Sequence, residues 1–348
     1  MWRGRDSGCR RHHARRATGF SLMEVLISVA VISLLVVILA SITDLTRKVW
    51  LRTSAKVEQF RAAREAFDTI TRRLAEATLN TYWDYDNPAN PQRYIRQSEL
   101  RFLSGPMDKI AGAAPSGKTW STHGIFFQSP AGLVNPNATV DGGGLNNLLN
   151  TCGYFVEFGD NTAARPPFSQ PRFRSRLYEL IQPRDDLSIY KETSGQPSYT
   201  GRNWFTSSLA GSTRPVHILA DNIIALVFVP KLSSQDDQTE SRLAPELLYD
   251  STDARTDASI NPKNQLPPVV QVTMIAIDEN SAARLTTGTS PPDFGLAGKF
   301  AFGSGAAAKV EQDLQDLQDH LAKQNINFRV FTANVVVRAA RWSTEQSN

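Results

Sequence analysis

The chain has 348 residues, room for one large domain or two small ones, and its 41% hydrophobic share supplies enough apolar side chains for a packed core. Its formal charge of +4 is unevenly placed. Arg3, Arg5, Arg10, Arg11, Arg15 and Arg16 precede Gly19 against the single acid Asp6, so that leader carries +5 and the remainder −1. This leaves the high isoelectric point without value as a nucleic-acid signal, and no nucleic-acid partner is expected. Of the two cysteines, Cys9 lies in the leader and Cys152 far downstream. A chain cut after the leader has no internal disulfide, and Cys152 reads as a small buried apolar residue beside a strand.

After the leader, Val25 to Ile42 is an uncharged apolar run of about 18 residues, long enough to cross a bilayer as a helix. Arginines before it and polar chain after it predict an N-terminus in the cytoplasm and a head outside the inner membrane. A secretory signal would have a shorter core and a small-x-small cleavage site, and Ala40-Ser41-Ile42 is a poor one. A plain signal-anchor accounts for the hydropathy but not for Glu24. That carboxylate stands at the cytoplasmic edge of the apolar run, where burial without a partner costs several kcal/mol.

Gly19-Phe20-Ser21-Leu22-Met23-Glu24 followed by the apolar helix resembles the cleavage and methylation signal of type IV prepilins and type II secretion pseudopilins. The resemblance implies that a prepilin peptidase cuts after Gly19 and methylates the new amine of Phe20. It makes Glu24 the fifth residue of the mature chain and an assembly residue. In a filament of parallel, staggered helices, Glu24 of an incoming subunit meets the Phe20 amine of its neighbour. Such a pair in low dielectric sets register more than it stabilises.

No Gly or Pro interrupts Phe20 to Asn80, and Val57, Phe60, Ala63, Phe67, Ile70, Leu74 and Ala77 recur at spacings of three and four. One helix over residues 20–80 is predicted, about 90 Å long at 1.5 Å per residue. Its apolar stripe reads as packing on a head domain of residues 81–348. The acidic, aromatic turn Tyr82–Asn87 reads as helix-to-head packing. Strands are predicted at Glu99–Leu103, Gly124–Gln128, Gly153–Phe158, Leu177–Ile181, Asn222–Val229, Val269–Asp278 and Phe328–Trp342, with a helix at Ala308–Gln324. Residues 233–265, rich in Asp, Ser and Thr, read as a long loop or partly disordered insertion.

Further segments sharpen the resemblance. Thr122–Pro130, Leu219–Leu226 and Leu266–Thr273 resemble the Verru_Chthon cassette protein C family, a pilin-like group. The second and third also resemble, more loosely, the head of the type II secretion minor pseudopilin J; the 233–265 insertion departs from that compact head.

Gly112-Ala113-Ala114-Pro115-Ser116-Gly117-Lys118-Thr119 fits the P-loop pattern, and Val272–Glu279 imitates a Walker B strand. A phosphate cradle needs a strand before the loop and a helix beginning at the lysine. Here a weak strand precedes and a strand, not a helix, follows, so the match reads as coincidence. Outside the leader, His123, His217 and His320 stand singly, with no second ligand at metal spacing, and no nucleophile-elbow or zincin motif occurs. Asp236, Asp237 and Glu240 are carboxylates of a type that binds calcium, but a solvated loop is the plainer reading.

The fold expected is α+β: a long N-terminal helix, transmembrane at about residues 25–42, packed on an antiparallel sheet. The function expected is structural, a minor subunit of a pilus-like or pseudopilus-like filament, with no enzymatic activity, cofactor or metal. Its partners are prepilin peptidase, other pilin-like or pseudopilin subunits and the inner membrane. Two alternatives stand beside it: a signal-anchored surface protein that never assembles, and a nucleotide-binding protein through residues 112–119.

Overall fold

The computed structural model describes residues 21–135, 148–160, 168, 171–193, 201–210, 214–233, 243–286 and 288–343. Its first element is α1, Leu22–Ala75. No helix breaker interrupts it. The hydroxyls of Ser28, Ser33, Ser41, Thr43 and Thr46 all bond carbonyls three or four residues back, so none stands unsatisfied on the apolar surface. Residues Leu22–Trp50 are long and apolar enough to cross a membrane, and they are solvent-exposed throughout. The chain divides into two compact units, residues 1–55 and 56–348.

Within the second unit, α1 continues with Ala63, Ala66, Phe67, Ile70 and Leu74 buried at helical spacing. Strands β1 (Tyr82–Tyr85) and β2 (Tyr94–Gln97) form a hairpin, followed by β3 (Leu103–Pro106), α2 (Met107–Ile110) and β4 (Thr119–Pro130). Then come β5 (Leu149–Gly159), β6 (Arg174–Gln182), α3 (Ser188–Thr193), α4 (Asn203–Ala210), β7 (Val216–Asp221) and β8 (Ile223–Lys231). The chain ends through β9 (Tyr249–Asp250), β10 (Val269–Ile277), α5 (Glu279–Leu285), α6 (Ala306–Lys323) and β11 (Phe328–Val336). All strand pairs are antiparallel: a hairpin β1-β2, a three-stranded sheet β11-β10-β8 and a six-stranded sheet β7-β6-β5-β4-β3-β9.

In the three-stranded sheet, β8 and β10 are buried on both faces, whereas β11 keeps Arg329, Thr332, Asn334 and Val336 exposed. Leu226, Phe228, Val272 and Met274 join the main core with the buried stripe of α1, while Val227, Val229, Ile275 and Ile277 face a second cluster with Val310, Leu317 and Leu321 of α6. This alternation with period two explains why β8 and β10 read as unbroken apolar runs. The six-stranded sheet meets the main core through Phe126, Phe155 and Tyr178. Gly153 has to lack a side chain, because a Cβ there would collide with the ring of Phe126.

The two sheets join at a bulge in β4. Pairing with β5 slips between Ser121 and Gly124, extruding Thr122, at φ +55°, and His123. Both side chains turn to the outer edge of β8. Thr122 Oγ1 accepts from Leu226 N–H at 2.9 Å and donates to Leu226 O at 2.8 Å, and His123 Nδ1 accepts from Phe228 N–H at 3.3 Å.

Several expectations need correction. Residues 99–102 form no ladder: Arg101 N–H bonds the Gln128 side chain and Phe102 N–H the Ser251 hydroxyl, so side chains take the place of a neighbouring strand. The last strand ends at Val336: Val337 N–H still reaches Pro268 O in register, but Pro268 has no N–H to return, and Arg338 N–H bonds Ala75 O instead. Part of the 233–265 insertion is core, with Leu243, Leu247, Tyr249, Asn261 and Asn264 buried and β9 pairing with β3; residues 234–242 lie outside the described residues. The aromatic turn is not a packing contact. Tyr82, Trp83 and Tyr85 are exposed on the β1-β2 hairpin, where Tyr85 stacks on Tyr94 and Arg96 covers Trp83.

Candidate functional site

The first turn of α1 carries the reciprocal pair of a capping box. Ser21 Oγ accepts from Glu24 N–H at 3.2 Å, and Glu24 Oε2 accepts from Ser21 N–H at 3.3 Å and from the Ser21 hydroxyl at 3.4 Å. The sequence Ser21-Leu22-Met23-Glu24 dictates this, because a serine three residues before a glutamate satisfies two of the helix's free N–H groups. A carboxylate here also faces the positive end of the helix dipole. The contacts are long and solvent-exposed, and only Oε2 is used. Oε1 of Glu24 has no hydrogen-bond partner among the described residues. Gly19 and Phe20, the expected cleavage and methylation positions, lie outside the described residues, as does the leader.

The P-loop-like segment has the opposite architecture to a phosphate cradle. A helix, α2, precedes Gly112 and a strand, β4, begins at Thr119, so no helix N-terminus points its N–H groups into the loop. Lys118 is instead committed to a buried carboxylate: its Nζ lies 2.7 Å from Glu157 Oε1. Arg214 Nη2 approaches Glu157 Oε2 at 2.8 Å, and both cations sit over the Tyr178 ring. The Walker-B-like run is β10, which belongs to the other sheet. Sequence reasoning missed this triad, because Lys118 just precedes β4, Glu157 lies in β5 and Arg214 lies two residues before β7.

The histidines are apart. His123 is fully buried, its Nε2 2.7 Å from Phe300 O while Nδ1 faces the Phe228 N–H. Nε2 therefore carries the proton, and burial pulls the ring pKa down to about 4, against the smaller upward pull of those backbone bonds. His217 is exposed on β7, and His320 of α6 meets Gln324 at 2.9 Å. Among the described residues no three His, Cys, Asp or Glu side chains are grouped to hold a metal; Asp236, Asp237 and Glu240 lie outside them. Cys152 is buried against Ser129, and burial pushes its thiol up to about 11.

The chain matches no family model, no curated protein and no solved structure. Its architecture is mixed helix and sheet, with a long apolar N-terminal helix and antiparallel sheets.

Proposed function

We propose that the chain is a minor subunit of a type IV pilus-like or pseudopilus-like filament, cut after Gly19 and methylated on Phe20 by prepilin peptidase. The head would lie outside the inner membrane, held by the apolar part of α1, in a pilin-like arrangement. The observation that carries this reading is the spacing of Gly19, Phe20 and Glu24 between a basic leader and the apolar helix. The exposed first turn of α1 supports it: Glu24 has one carboxylate oxygen available to a cation from a neighbouring helix. The head's bulk favours a minor subunit, since it would crowd a close-packed repeat. Intact mass and N-terminal sequencing of the membrane-extracted protein test the reading. A terminus at N-methyl-Phe20 supports it, and an uncut leader in a cell with active prepilin peptidase overturns it.

One observation favours a second reading, a signal-anchored protein that never assembles. The capping box gives Glu24 a local task that needs no filament.

A further inference from the structure

The edges of the two large sheets are treated differently. In the six-stranded sheet, β9 is two residues long and β7 is bulged against β6 between Leu177 and Tyr178. In the three-stranded sheet, the outer edge of β8 is covered by Thr122 and His123. Short length, bulges and cover are the usual protections of an edge. Strand β11 has none of them. It pairs with β10 over nine residues without a slip, contains no proline, and has no second strand partner among the described residues.

The register says which groups its free side presents. Leu226 turns its N–H and C=O outward to Thr122, so its partner Met274 turns its own toward β11, where it faces Phe331. Antiparallel residues alternate in direction. Phe331 and its odd-numbered neighbours therefore bond β10, while Val330 and Thr332 point their N–H and C=O away from the sheet. No backbone partner for either occurs among the described residues.

A groove of about 660 Å³ runs along that edge, between β11 and the Phe60–Thr71 part of α1. Five consecutive residues, Arg329 to Ala333, line it. Residues of both parities line it although their side chains lie on opposite faces, as where a groove reaches the strand's backbone at its edge. Phe60, Phe67 and Phe331 give it apolar surface, and its described lining holds Arg61, Arg64 and Arg329 with Asp68. Arg61 and Arg64 are engaged by Glu65 and Asp68 in exposed pairs one helical turn apart, a weak type of contact that exchanges readily. Beyond those pairs Arg329 adds a positive charge, and a second copy of this groove is disfavoured as the occupant because it would bring its own Arg329 against this one.

We infer that this groove takes an extended, acidic segment of another protein as an added strand, its main chain pairing with Val330 and Thr332 and its carboxylates meeting Arg61, Arg64 and Arg329. Five residues of strand span about 14 Å between end Cα atoms, and the facing stretch of α1 about 16 Å, so the segment read is about five residues long. Backbone bonds supply the affinity of such an addition and the side chains its selectivity. The inference is independent of the filament reading, since the groove belongs wholly to residues 56–348.

The test uses the full chain in lipid nanodiscs and a synthetic seven-residue peptide alternating Glu with Val. Three controls accompany it: the peptide with Lys for Glu, the peptide with alternate amides N-methylated in either register, and the Arg329→Glu chain. Expected are saturable binding of the acidic peptide and hydrogen-exchange protection at Val330 and Thr332. Binding should weaken by about tenfold or more with the Lys peptide or Arg329→Glu, and be lost in one N-methylated register. No saturable binding by about 1 mM peptide overturns the proposal. So does equal binding of both N-methylated peptides. A chain that already protects Val330 and Thr332 by self-association also overturns it, assigning the edge to a second copy.

Discussion

The Thr122 hydroxyl accepts from the N–H of Leu226 and donates to its carbonyl, at 2.9 and 2.8 Å, so one side chain stands where a neighbouring strand would otherwise lie. A β-branched residue at φ +55° is strained, and the paired bonds are what hold it. Thr122→Val keeps the shape and removes both bonds. It should lower unfolding free energy by about 2 kcal/mol in urea titration, because two part-buried backbone groups lose their partner. Thr122→Ser should recover most of that loss. Equal stability of the Val variant and wild type would show that water replaces the hydroxyl without cost.

The neighbouring His123 makes the protein sensitive to acid. Its pKa is depressed in the fold, to about 4 from an ordinary 6.5. The unfolded chain therefore binds the proton first, so the stabilisation is full above pH 6.5 and is lost as pH falls toward 4. Between pH 7.5 and 4.5 this group should cost roughly 2 kcal/mol. His123→Gln should be less stable at pH 7.5 and lose less stability on acidification, the difference between the two chains isolating this group from the carboxylates.

Glu157 and Lys118 should separate sharply. The Glu157 side chain is fully buried and Lys118 is a quarter exposed. Glu157→Gln leaves Lys118 and Arg214 without their counter-charge and should cost about 3 kcal/mol or more. Lys118→Ala leaves Arg214 still paired and should cost about 1 kcal/mol. Calorimetry with ATP on the wild type and Lys118→Ala chains should give no binding heat in either. Binding lost with Lys118 would restore residues 112–119 as a phosphate site.

Substitutions of Glu24 divide the filament reading from the anchor reading. Glu24→Gln keeps an acceptor for the Ser21 N–H and removes the charge, whereas Glu24→Ala removes both. Both variants should be processed at Gly19. If the charge acts between subunits, Gln and Ala variants should both enter filaments at roughly one tenth of the wild-type level or less. Assembly of the Gln variant at the wild-type level, measured in sheared surface fractions, would assign Glu24 to capping alone.

The regular elements were legible where local chemistry is self-sufficient. The α1 stripe and the apolar runs of β8 and β10 follow from periodicity, while the equally local capping box from Ser21 to Glu24 was passed over because Glu24 was read only as an assembly residue. The hairpin β1-β2 was missed because its aromatic residues suggest burial, whereas on two exposed strands they pack on one another and on Arg96. The Arg101 region was misread because an apolar alternation says that backbone is extended and buried, but not whether a strand or a side chain such as Gln128 satisfies it.

From its order of residues alone, this chain determined an apolar N-terminal helix, a leader charge that leaves the rest near neutral, and strands whose two-residue period requires a core. Only the tertiary structure decided that Thr122 and His123 cap one edge of the three-stranded sheet and leave the other, at Val330 and Thr332, open. It also decided that Lys118 serves Glu157. Helices and strand faces are set by neighbours within a few residues, and are readable for that reason. Sheet edges and buried ion pairs join residues about a hundred apart in the chain, or in the triad tens apart, and no local pattern records which ones meet.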